Sequence, residues 1–249
     1  MAHFFKKFRK KFLVENRISR YLLYAIGEIV LVVLGILIAI QINDWNRDKN
    51  LYQEELESYN LIISDLKRDS ILFHNYKITY DSFLDGYFKI NKVSQNQGTF
   101  ENVFPDFIAM NAEFNPVTQD NHQKNIDKLR NNEIRVSINK YFRRINQVKH
   151  AREEFNELIT KESRPFFLVE QNILKNDVVF NYENRTFPPL LRVSTIDTAK
   201  FKESLKQSKA ISLLSELRMS MGFYLAALDF AIIENQELIT ELENRIHNH

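Results

Sequence analysis

Residues 21–42 form an unbroken apolar run, YLLYAIGEIVLVVLGILIAIQI, which restricts the possible folds more than any other feature of the chain. Glu28 is the one ionisable residue within it. As an α-helix rising about 1.5 Å per residue, the run is about 33 Å long and can cross the hydrocarbon core of a bilayer. A cleaved signal peptide has a shorter apolar stretch ending in small residues, whereas this run leads into Asn43, Asp44 and Trp45. The sequence therefore predicts an uncleaved transmembrane helix at residues 21–43.

Basic residues before the run predict its orientation. Residues 1–20 contain a single acidic residue, Glu15, and seven basic ones: Lys6, Lys7, Arg9, Lys10, Lys11, Arg17 and Arg20. This segment has a net charge of +6, so the rest of a chain that carries +2 overall sums to −4. By the positive-inside rule we expect a basic cytoplasmic segment at residues 1–20 and an exported domain at residues 44–249.

The same basic segment suggests what it contacts. Lysine and arginine next to a span attract the anionic lipid headgroups of the cytoplasmic leaflet, which are its expected partners. A nucleic-acid-binding domain would spread basic residues over a folded face, and here they lie in a short tail, so no nucleic acid is expected. Trp45 lies just beyond the opposite end of the run, where tryptophan commonly serves as an interfacial anchor.

One face of the predicted membrane helix combines its charged residue with small residues. The positions that share this face, at alternating steps of three and four, include Ala25, Glu28, Val32, Gly35 and Ala39. Gly35 and Ala39 form a small-xxx-small motif, which permits close helix approach and predicts a packing face. Glu28 has three possible roles: a hydrogen bond across a homo-oligomeric contact, a pair with a polar group of another membrane partner or a proton pathway, or snorkelling toward the inner boundary.

Outside the run, the sequence indicates long helices and an all-α fold. The chain has only five glycines and five prolines, too few for the many turns of a β-sandwich or barrel. We expect the transmembrane helix to continue into a long exported helix that packs in a helical bundle or coiled-coil-like domain. Its expected core positions, at four-three spacing, are Tyr52, Leu56, Tyr59, Ile63, Leu66, Ser70, Phe73, Lys77, Tyr80, Leu84 and Tyr87.

Further helices are predicted after irregular connections near residues 94–120 and 176–197. One runs from about residue 125 to 163, and Pro165 is expected to open a shorter one. Asp197 or Thr198 suits an N-cap. A last helix over residues 211–246 has the expected core positions Leu214, Leu217, Met221, Tyr224, Leu228, Ala231, Asn235, Leu238 and Leu242. Among these, Asn235 is a polar residue of the kind that fixes helix register.

Motifs that carry catalysis do not occur in the chain. It has no cysteine, no phosphate-binding glycine-rich loop and no His-Glu-x-x-His sequence. His74, His122 and His150 lie in separate segments and have no metal-ligand spacing. The sequence therefore predicts neither an enzyme nor a cofactor or metal site.

The first fifty residues carry a more specific pattern. They include Glu15-Asn16-Arg17, then YAIGEI at 24–29, GILIA at 35–39 and QINDWN at 41–46. In these motifs the sequence resembles an uncharacterised family of single-span membrane proteins of Gram-negative bacteria, and residues 126–142 match it more loosely. The resemblance implies an inner-membrane protein with its C-terminal domain in the periplasm, and it implies no activity.

Together these observations predict a membrane-anchored periplasmic protein that works by interaction. We expect a scaffold that associates with itself or with another envelope protein. The alternative is a ligand-sensing protein, which would need a separate signalling partner because about 20 cytoplasmic residues cannot form an output domain.

Overall fold

The computed structural model describes residues 17–95, 97–100, 103, 105–175 and 194–247, with side chains from residue 21 onward. This part of the chain is all-α, as predicted, and its β-structure is an isolated bridge between Leu174 and Ile196. The chain divides into two units, Met1–Glu57 and Ser58–His249.

Five α-helices are described. They are α1 (Arg17–Ser94), α2 (Thr118–His122), α3 (Asn132–Leu158), α4 (Thr198–Ser204) and α5 (Ser208–His247). Short 3-10 helices lie at Pro105–Ala109 and Ile126–Lys128, and a π-helix at Ile159–Glu170 follows α3 directly. The predicted span at residues 21–43 lies within α1, and residues 58–94 of the same helix belong to the second unit.

In the second unit, α1, α3 and α5 pack side by side. Lys67 Nζ lies 2.7 Å from Glu243 Oε1, and the rings of Tyr80 and Tyr224 are 5.3 Å apart, so α5 runs antiparallel to α1. Ser137 and Arg144 of α3 hydrogen-bond to Glu241 and Glu234, so α5 is antiparallel to α3 as well. Consequently α1 and α3 are parallel, and the chain between them must return along the bundle.

The predicted core positions are largely confirmed. All nine positions named for the last helix are buried, including Asn235. In α1 the buried positions include Tyr59, Leu66, Phe73, Tyr80 and Tyr87, which recur every seven residues. Tyr52 is exposed, so the buried stripe of α1 begins later than predicted.

The region around Pro165 differs from the prediction that this residue opens a new helix. Pro165 lies inside the π-helix Ile159–Glu170, which continues α3. Proline lacks an N–H, and its ring clashes with the preceding turn of an α-helix. The wider π turn accommodates it, so helical structure continues through the proline.

The connection after α1 is held by side chains from distant segments. Ser163 and Arg164 donate hydrogen bonds to the carbonyls of Ile108 and Ala109 in the 3-10 helix. The buried carboxyl of Asp106 accepts from the hydroxyls of Ser194 and Thr195 and from the Thr195 amide. These bonds fix the chain just before α4. Of the connection predicted at 176–197, residues 176–193 lie outside the described residues.

The start of α4 confirms the predicted cap. Asp197 is the N-cap, and its side chain accepts from the amides of Ala199 at 3.0 Å and Lys200 at 3.2 Å. These bonds satisfy two of the four amides that a helix start leaves unpaired.

Candidate functional site

The predicted membrane face lies on a helical, fully exposed part of α1. Every residue from 21 to 43 is exposed, including Ala25, Glu28, Val32, Gly35 and Ala39. An exposed apolar segment of this length is typical of a helix whose natural surroundings are not water. The side chains of the basic cluster, from Lys6 to Arg20, lie outside the described residues.

Two glycines in this segment occupy open space. A Cβ atom built on Gly27 or on Gly35 would meet no atom within 4 Å. Glycine within a helix costs about 1 kcal/mol relative to alanine. The packing of this chain therefore gives no reason for either glycine, whereas a second helix approaching closely would give one at Gly35, which shares a face with Ala39.

Trp45 lies two residues past the predicted span and is 69% exposed. Lys49 Nζ lies 6.0 Å from the centre of its ring, which is at the outer limit of a cation–π contact. An exposed indole beside a lysine, one helical turn on, fits the predicted interfacial anchor.

The second unit contains a buried polar cluster around Asp69 of α1. Its carboxyl group is fully buried. One oxygen accepts from the Val117 amide at 2.7 Å, and the other accepts from the Thr118 amide at 3.1 Å and the Tyr141 hydroxyl at 3.2 Å. The two amides belong to the start of α2, where unpaired N–H groups need an acceptor. Asp69 therefore ties α2 and α3 to α1.

Tyr141 extends this cluster to α5. Its hydroxyl accepts a hydrogen bond from Asn235 Nδ2 at 3.2 Å, and the same amide donates to the carbonyl of Leu66 at 3.1 Å. Burial and the nearby Asp69 carboxyl raise the pKa of Tyr141 well above its ordinary value, so the phenol keeps its proton. A polar chain from Asp69 through Tyr141 to Asn235 thus links three long helices in one register.

A second carboxylate cluster lies one turn earlier on α1. Asp65 Oδ2 accepts from Asn121 Nδ2 at 2.7 Å and lies 3.0 Å from His122 Nε2. Burial by itself would raise the pKa of Asp65, but the hydrogen bonds with Asn121 and His122 outweigh it, and the pKa is lowered. Asn121 and His122 belong to the end of α2, so Asp65 binds the end of this short helix and Asp69 binds its start.

The sequence contained a signal for Asp69 that the prediction did not use. The core stripe was predicted through Ile63, Ser70 and Lys77, whereas Ile62, Asp69 and Tyr76 recur at the same seven-residue interval. Asp69 is fully buried, whereas Ser70 and Lys77 are partly exposed. A carboxylate within an apolar stripe indicates a buried residue that must find donors.

A small cavity lies between α3 and α5. Its volume is about 50 Å³, and polar side chains form most of its lining: Ser137, Lys140, Tyr141, Glu234, Glu237, Leu238 and Glu241. Ligand pockets usually measure about 300–1,000 Å³, so this space suits a few water molecules. Among the residues that the structure describes, no three histidine or acidic side chains are grouped to hold a metal ion.

Comparison with known proteins places a family match across this region. Residues 28–81 match the model of a family described as "Family of unknown function (DUF6090)". The matched segment contains Glu28, Gly35 and Trp45 together with Asp65 and Asp69. No curated protein and no solved structure matches the chain.

Proposed function

We propose that this protein is a single-span, membrane-anchored interaction protein of the bacterial inner membrane that associates with itself through α1. Its N-terminus lies in the cytoplasm, and its helical domain lies in the periplasm. The observation that carries the proposal is the fully exposed apolar segment of α1, with Glu28 and Gly35 on one face. In this proposal the protein acts by binding through its surface and catalyses no reaction.

Support for an anchor comes from helix length and exposure. Among the described helices, α1 from Tyr21 and α5 are long and apolar enough to cross a membrane. The apolar window of α1 is wholly exposed, whereas α5 buries one face that includes Asn235 and Glu234. A helix with buried polar residues bonded to its neighbours is typical of a bundle core. We therefore assign the single span to α1.

Support for self-association comes from the face that contains Glu28. An ionisable group inside a span is costly and usually faces protein. On the same face, Gly35 and Ala39 allow a second helix to approach closely. In a symmetric pair of identical helices, the Glu28 side chain of one helix lies near the Glu28 side chain of the other. A proton shared between the two carboxyl groups then lets them hydrogen-bond.

The orientation can be tested with single cysteines, because the chain has none of its own. A membrane-impermeant maleimide applied to spheroplasts should label Asn139→Cys directly and His3→Cys only after the membrane is permeabilised. Labelling of His3→Cys in intact spheroplasts would contradict the proposed orientation.

The packing face can be tested with a matched pair of glycine variants. Gly35→Ile and Gly27→Ile both fill space that is open in the isolated chain, but only Gly35 lies on the Glu28 face. Energy transfer between fluorescently tagged full-length copies in membranes should fall markedly for Gly35→Ile and stay near the wild-type level for Gly27→Ile. Equal effects of the two variants would refute a specific packing face.

A ligand-sensing role is the second proposal, supported by the polar cavity between α3 and α5. Its volume of about 50 Å³ limits a ligand to a small ion or water, so we rank sensing below self-association. Thermal unfolding of the purified protein, measured with and without added small anions and cations, would test this role. A shift for one ion, abolished by Glu234→Gln, would favour sensing.

A further inference from the structure

We draw no further inference here: the strongest candidate, the exposed apolar face of α5 that contains Met219, Phe223 and Phe230, carries none, because nothing in the part of the chain that the structure describes shows what covers it.

Discussion

Replacing Asp69 with asparagine tests the role of the buried polar cluster in the second unit. The substitution keeps the shape of the side chain but turns one accepting oxygen into an N–H donor. In the unsubstituted chain the Val117 amide donates to one Asp69 oxygen at 2.7 Å. If the amide oxygen of the asparagine still accepts from Thr118 and Tyr141, its new N–H group faces the Val117 N–H, and two donors meet. A buried donor is then unpaired, and the bonds to a charged acceptor are lost, for a cost of about 3 kcal/mol.

The assay is thermal unfolding of the purified full-length protein in detergent, followed by far-UV circular dichroism. For a domain of this size, about 3 kcal/mol lowers Tm by roughly 6–12 °C. The control is Asp85→Asn on the same helix, because that carboxylate is 61% exposed and pairs with Lys89 at the surface. It should change stability by less than about 1 kcal/mol. Equal effects of Asp69→Asn and Asp85→Asn would show that the buried bonds of Asp69 do not stabilise the second unit.

Three further predictions follow from the second unit. A Cβ on Gly86 would clash with the Phe107 ring, whereas one on Gly222 would meet no atom within 4 Å; Gly86→Ala should therefore lower Tm and Gly222→Ala should raise it slightly in the same assay. The folded pKa of Asp65 is lowered, so its stabilisation is present above the unfolded pKa and is lost as pH falls through the folded value; acid titration of stability should show a shallower decline below pH about 4 for Asp65→Asn. The Thr195 amide donates a hydrogen bond to Asp106 at 2.8 Å. Asp106→Asn should therefore speed hydrogen exchange at that amide, and an unchanged rate would contradict the protection of this amide by Asp106.

Sequence periodicity predicted the helices and most of their buried faces. The seven-residue recurrence from Tyr59 to Tyr87 and the last helix from Leu214 to Leu242 are buried as expected, because four-three spacing places residues on one face of any α-helix. The same spacing fits two adjacent stripes in α1, so periodicity alone did not distinguish Ser70 from Asp69. That choice depends on α2, whose amides supply the donors for Asp69.

Features that depend on distant segments were not predicted. Asp106 meets Ser194 and Thr195 across almost ninety residues, and nothing near it in the sequence indicates that contact. Pro165 predicts a helix start because proline is favoured at the first position of an α-helix, and the π-helix that accommodates it has no local signal. The exposed apolar residues of α5, such as Met219, Phe223 and Phe230, are spaced like the residues of a core face. The sequence therefore does not indicate that the packed bundle leaves this side of α5 uncovered.

We propose that copies of this protein pair through the Glu28 face of α1. The most direct measurement is oxidative crosslinking in native membranes of single cysteines at Ala25, Val32 and Ala39, compared with Val30 and Leu37 on the opposite side of the helix. We expect strong dimers for the first three, weak ones for the other two, and a clear change on adding Glu28→Gln. Equal crosslinking around the whole helix, or none at any position, would contradict it.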